Sequence, residues 1–209
     1  MKTRYLAGLV SLLLFSTQAA LANSTSFTGN FAQDDNVQFF TFSISAPTDV
    51  TFNTLSYAGG VNAAGTTIAA GGFLPILTLW DAAGINVASY STNGDISFTQ
   101  DLTVAGSYIL ALTEYNNQAL GDLPNGALDP TQFTESGQGN FTVPQFSNTP
   151  GIPGAFIAPD GSQRTSVWAV DISSPNPVIT TGSVPEPETL YLLMTGIGLV
   201  GIFTRRKNR

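Results

Sequence analysis

The chain has 209 residues and a formal charge of −7, and it contains neither cysteine nor histidine. Without histidine there is no Ser-His-Asp or Cys-His nucleophilic system and no histidine zinc site, and without cysteine there is no disulfide. Between residues 23 and 183 only Arg164 is basic, against twelve acidic residues, so this segment carries a charge of −11. A surface this acidic is a poor partner for nucleic acid.

Residues 1–22 have the features of a secretory signal peptide. Lys2 and Arg4 precede an apolar run, and Ala20 and Ala22 form an A-x-A cleavage site. We therefore expect cleavage after Ala22 and export of the segment that follows it. The alternative is an N-terminal membrane anchor, which the short length of the apolar run disfavours.

Alternation of apolar and polar residues predicts strands throughout the exported segment. The clearest strand is at 37–46, where Phe40, Phe42 and Ile44 share one face. Further strands are predicted at 26–31, 50–57, 73–80, 85–91, 96–102, 107–115 and 164–173. Short strands at this spacing predict an all-β fold, a single antiparallel β-sandwich of jelly-roll type at residues 23–173.

Turns and irregular segments separate these strands. Residues 81–84 and Asn93-Gly94 predict hairpin turns, because Asp and Asn bond to nearby backbone and Gly accepts positive φ. Residues 117–163 form a long insertion rich in Pro, Gly and Asn, in which only 140–146 hints at a strand. Loops of this length are usually functional or disordered. Residues 174–183 are interpreted as a semi-rigid linker.

Three segments of the predicted sandwich share a pattern with a known family. They are the Asp-Asp-Asn-Val-Gln-Phe-Phe-Thr-Phe stretch at 34–42, the Leu-Thr-Leu-Trp-Asp-Ala-Ala-Gly stretch at 77–84, and the Gly-containing strand at 105–112. Together they resemble bacterial pre-peptidase C-terminal-type jelly-roll domains. The resemblance implies an accessory module of a secreted protein, involved in matrix or polymer binding and in some cases binding calcium.

Asp34 and Asp35 are the candidate calcium ligands. Calcium takes six to eight oxygen ligands, so a site here needs help from a distant loop that carries Asp81, Asp95 or Asp122. The alternative is that these aspartates form turns and accept hydrogen bonds from backbone N–H groups.

Two binding or catalytic alternatives remain for the exported segment. Trp80, Trp168, Tyr90 and Tyr115 are candidates for a carbohydrate-binding face, although alternating strands favour a place in the core or at an edge. Glycoside hydrolysis requires two positioned carboxylates, and no motif selects such a pair here.

Residues 184–209 consist of three parts in sequence. A proline-stiffened acidic motif comes first, formed by Val184, Pro185, Glu186 and Pro187. An uncharged apolar run at 189–204 follows and predicts a transmembrane helix of about 24 Å, shorter than a bilayer core of about 30 Å. A basic cluster closes the chain and is expected to remain cytoplasmic, formed by Arg205, Arg206, Lys207 and Arg209.

This three-part tail resembles the PEP-CTERM sorting tail of Gram-negative bacteria. The resemblance implies processing by an exosortase, a membrane enzyme similar to a transpeptidase. We expect the domain to be periplasmic and tethered to the inner membrane through its C-terminal helix, then to reach the cell surface or extracellular matrix.

The sequence therefore predicts an exported, non-enzymatic protein with a structural or adhesive role linked to exopolysaccharide or biofilm. The alternative is a carbohydrate-binding module, with or without a dependence on calcium, and a glycoside hydrolase is a more distant one.

Overall fold

The structure is a computed structural model that describes residues 23–147 and 156–184, with 181–184 described as backbone. Strands dominate, and their bounds are β1 Asn23–Asn30, β2 Gln38–Ile44, β3 Thr48–Thr54, β4 Gly60–Val61, β5 Thr67–Ile68, β6 Pro75–Asp81, β7 Asn86–Ser91, β8 Ser97–Leu102, β9 Gly106–Glu114, β10 Phe156–Ile157, β11 Gln163–Arg164, β12 Val167–Ser174 and β13 Val178–Val184. The described helices are a 3-10 turn at Pro124–Gly126 and a short helix, α1, at Thr142–Phe146.

Two antiparallel sheets carry the fold. One has four strands in the order β1-β12-β3-β8, and the other has five in the order β13-β2-β9-β6-β7. The pairs β4-β5 and β10-β11 form two small additional ribbons. The predicted all-β class and antiparallel sandwich are confirmed.

Alternating residues of the two sheets build the main core between them. From β2, Phe40, Phe42 and Ile44 point into this core, and Phe52 on β3 and Trp168 on β12 face them from the other sheet. Aromatic pairs fill the space, with the Phe40 and Trp168 rings 5.7 Å apart edge to face. Burial of each such side chain contributes roughly 1.5–3 kcal/mol, which stabilises the domain without a disulfide.

A second apolar cluster covers the outer face of the five-stranded sheet. Phe39 of β2 and Trp80 of β6 point outward, and Phe133 of the insertion packs against both. The Nε1 of Trp80 donates a hydrogen bond to the carbonyl oxygen of Gly121 at 2.9 Å. The insertion therefore belongs to the packed domain, and β6 and β9 are buried on both faces.

One of the two predicted hairpins is present. β6 and β7 pair antiparallel across residues 81–84, where the Asp81 Oδ1 accepts hydrogen bonds from the N–H groups of Ala83 and Ile85. The predicted hairpin at Asn93-Gly94 is wrong, because β7 and β8 belong to different sheets. The chain crosses between the sheets there, and Asp95 fixes the crossing by accepting hydrogen bonds from three groups of residues 54–58.

Two further predictions are wrong. Residues 142–146 of the predicted strand at 140–146 form the helix α1, because its first N–H groups bond to a distant carboxylate. The predicted linker at 174–183 instead contains most of β13, which pairs with the free edge of β2. Pro175 and Pro177 lie in the turn between β12 and β13, where a backbone N–H is not needed for hydrogen bonds between strands.

Candidate functional site

The sorting motif begins inside the folded domain. β13 runs antiparallel to β2, from Val178 opposite Ile44 to Val184 opposite Phe39, with an irregularity between Thr180 and Gly182. The next residue is proline, which has no N–H to donate and so cannot continue the ladder. Val184 is thus the last residue of a sheet strand and the first residue of the predicted motif.

The other predicted targeting residues lie outside the described residues. They are Pro185, Glu186, Pro187, Arg205, Arg206, Lys207 and Arg209 in the tail, and Ala20 and Ala22 at the signal cleavage site. The predicted transmembrane helix at 189–204 also lies outside them. Within the part of the chain that the structure describes, no helix combines the length and apolarity needed to cross a membrane.

Asp34 anchors the insertion to the sandwich. Its carboxylate is buried, and its Oδ1 accepts hydrogen bonds from the N–H groups of Asn140 and Phe141, at 2.5 and 3.2 Å. Its Oδ2 accepts hydrogen bonds from the N–H and Oγ1 of Thr142, at 2.8 and 2.6 Å. Thr142 Oγ1 in turn accepts the N–H of Ile157 at 3.1 Å. Asp34 therefore caps the start of α1, although it precedes that helix by more than one hundred residues in the sequence.

The remaining calcium candidates are not gathered around Asp34. Asp81 and Asp95 serve the turns described above, and the Asp122 Oδ1 accepts the N–H of Asn86 at 2.7 Å. Asp35 is half-buried, and its carbonyl oxygen accepts a hydrogen bond from the side chain of Asn117. Among residues 23–147 and 156–184, no three acidic side chains are grouped as a metal site. The geometry favours the turn-forming interpretation of these aspartates.

The four aromatic candidates do not form one surface. Trp80 and Trp168 are buried, and they lie in the two different apolar clusters on opposite faces of the five-stranded sheet. Tyr115 is half-buried beside Phe146. Tyr90 is 37% exposed and stacks on Phe98 with ring centroids 3.7 Å apart. This stack closes the side of the sandwich where β7 and β8 are the edge strands.

Glu114 is a buried carboxyl group whose special environment the sequence did not single out. It lies at the end of β9 on the same face as Leu112, and neither carboxyl oxygen has a hydrogen-bond partner among the described residues. Burial raises the pKa of Glu114 well above its ordinary value of 4.5, and the charge of Asp34 raises it further. The positive charge of Arg164 partly offsets both effects. In the folded domain these effects together favour the neutral acid over the carboxylate.

Arg164 is the cation nearest to this buried acid. Its guanidinium lies over the Tyr57 ring at 3.9 Å from the centroid, and its Nη2 donates a hydrogen bond to the Tyr57 hydroxyl. Cation–π stacking and this hydrogen bond hold β11 against the loop that follows β3. The single basic residue of the exported segment thus has a structural role, since it joins β11 to the loop after β3.

A known protein-sorting motif matches the end of the chain. Residues 183–207 match the PEP-CTERM protein-sorting motif, so the chain carries that motif at this position. The pre-peptidase C-terminal domain of a collagenase from Bacillus anthracis is similar in structure, with 17% identity and a TM-score of 0.32. That similarity covers 46% of this chain and 80% of the collagenase domain. The comparison with curated proteins gives no match.

Replacing Asp34 by alanine tests the cap on the insertion. Three backbone N–H groups and one hydroxyl lose their acceptor in a buried site, so we expect a loss of about 3 kcal/mol in the free energy of unfolding. The measurement is urea unfolding of the exported domain. Asp129→Ala is the control, because Asp129 caps only its own exposed turn at Thr131. Equal stability of the two variants contradicts the role given to Asp34.

Replacing Glu114 by glutamine tests the neutral buried acid. The raised pKa means that the unfolded chain ionises first as the pH rises above about 4.5, so folding loses stability progressively from that pH upward. Glutamine removes this loss, and the Tm advantage of Glu114→Gln over the wild type should grow by a few degrees between pH 5 and pH 8. Asp101→Asn, which removes an exposed acid, is the control. A Tm difference independent of pH contradicts the assignment.

Proposed function

We propose that this protein is exported and sorted by an exosortase-type membrane enzyme, and that it then has a non-enzymatic structural or adhesive role linked to exopolysaccharide. The PEP-CTERM sorting motif at 183–207 carries the proposal. The acidic Val-Pro-Glu-Pro motif, the apolar run and the basic end stand in the order that such a signal requires.

Physical features of the tail support a temporary tether. Sixteen uncharged residues at 189–204 form at most about 24 Å of helix, which is short for a bilayer core and makes a modest anchor. The four basic residues that follow prevent passage of the end of the chain across the membrane. The first 22 residues supply the signal for export.

A non-enzymatic role is supported by how the described acidic residues are used. Asp34, Asp81, Asp95 and Asp122 each accept hydrogen bonds from backbone N–H groups, which fixes loops. The Asp171 carboxylate likewise accepts hydrogen bonds from the Ser26 hydroxyl and the N–H of Ala63. Carboxylates committed to loop structure are poorly suited to act as a general acid and base pair.

The negative charge of the domain disfavours some matrix polymers as binding partners. Residues 23–183 carry twelve acidic residues and one arginine, which is stacked on Tyr57. Such a surface repels anionic polymers within a Debye length of about 8–10 Å. We therefore propose that the matrix partner is a neutral or cationic polysaccharide, which needs no basic residues for binding.

Replacing Glu186 by alanine tests the sorting function. Glu186 is the central acid of the Pro-Glu-Pro motif, so we expect the variant to remain in the inner membrane as unprocessed precursor. The measurement is the intact mass of the protein from separated inner-membrane and extracellular fractions. Glu188→Ala is the matched control, since it removes the same charge two residues further on. Normal release of Glu186→Ala counts against the proposal.

A further inference from the structure

The last strand of the domain and the sorting signal share residues. β13 ends at Val184, while the PEP-CTERM match begins at residue 183. Residues 183 and 184 pair with Phe40 and Phe39 of β2, so the start of the signal is hydrogen-bonded into the sheet. The chain has no spacer between the folded domain and the signal.

This arrangement leaves little room for a processing enzyme. Four residues, 185–188, separate Val184 from the apolar run that starts at Thr189. Fully extended, they span at most about 14 Å. With β13 in place, the end of the sheet is thus held within about 14 Å of the membrane surface. Release of the seven residues of β13 adds roughly 23–25 Å of extended chain.

β13 is suited to release because it is attached on one side only. It is an edge strand whose sheet partner is β2, and its register shifts between Thr180 and Gly182. Of its side chains, Val178 packs partly against the core, while Ile179 is 63% exposed. Release therefore exposes little apolar surface from residues 178–180, the part of the strand whose side chains the structure describes.

β2 keeps its pairing with β9 and its place in the core when β13 leaves. Its other edge pairs with β9 over seven residues, from Gln38 opposite Leu112 to Ile44 opposite Gly106. Phe40 and Phe42 remain packed between the sheets. The sandwich consequently retains its core while the terminal strand is free.

We propose that β13 leaves the edge of β2 and supplies the length of extended chain through which the membrane processing enzyme reaches the motif, so that in the natural chain, which has no spacer, strand pairing and tail processing exclude each other. Peptide-binding clefts commonly hold their ligand as an added strand, through the same main-chain groups that a sheet edge uses. This inference rests on the proposed sorting function. The stability of β13 in the sheet then determines when the enzyme processes the tail and the protein leaves the membrane.

A disulfide that locks β13 to β2 tests the inference. Ser43 and Ile179 are directly opposite in the two strands, and cross-strand Cβ separations of about 4.5–5.5 Å are close to disulfide geometry. The chain has no other cysteine, so Ser43→Cys with Ile179→Cys forms a single defined bond in the oxidising periplasm. We expect the oxidised protein to accumulate as precursor, with processing at least about tenfold slower, and reductant to restore it.

A matched lock elsewhere provides the control. Thr51 and Thr99 are opposite each other on β3 and β8, with hydroxyl oxygens 2.7 Å apart, and both strands belong to the sheet that does not contain β13. Thr51→Cys with Thr99→Cys should be processed like the wild type. A ten-residue Gly-Ser spacer placed after Val184 in the β13-locked protein should restore processing, because it supplies the missing reach.

The outcomes separate the two proposals. Processing of the locked protein at the rate of the Thr51/Thr99 control overturns the release of β13. If the spacer does not restore processing, the length of free chain is not what limits processing, and the inference is wrong. If the wild type itself is never processed, the proposed sorting function fails, and the inference fails with it.

Discussion

The position of β2 is the constraint on which the rest of the structure depends. It pairs on one edge with β9 and on the other with β13; its inner face is buried, and its outer face is buried at Phe39. Phe40 and Phe42 fill the space between the sheets, while Phe39 holds the insertion against the outer face. One seven-residue strand thus joins the main core, the insertion and the end of the domain.

The second layer on the five-stranded sheet explains why the long insertion has so many polar contacts. A segment with many prolines and glycines lacks a ladder to satisfy its backbone, so side chains do so. Asp34 binds the N–H groups at the start of α1, and Asn117 binds the carbonyl of Asp35 and the N–H of Glu135. Buried carboxylate and amide groups take the place of regular secondary structure there.

Sequence patterns predicted the parts of the fold that local chemistry decides. Alternation identified β2, β9 and β12, because alternate residues of each strand are apolar and fill the core between the sheets. The Asn93-Gly94 signal failed because hydrogen bonds to Asp95 direct the chain into the other sheet. β13 was missed because Pro175 and Pro177 precede it and favour a linker, although five of its seven residues are β-branched and suit a strand at the open edge of β2.

The candidate site likewise has features that the sequence predicted and features that it did not. The sorting motif was evident from sequence because three compositionally distinct parts follow one another in 184–209. The role of Asp34 was not, since its partners at 140–142 lie more than one hundred residues away. Nothing in the order of residues showed that a carboxyl group on β9 would have no hydrogen-bond partner among the described residues. Such facts depend on tertiary contacts.

The chain remains part of the sheet up to the residue before Pro185. Hydrogen–deuterium exchange of the exported protein measures this directly, at peptides that cover 178–184. We expect protected amides there, exchanging more slowly than an unstructured peptide and faster than the central strand β9. Exchange at the rate of an unstructured peptide throughout 178–184 would instead show a plain linker without pairing to β2.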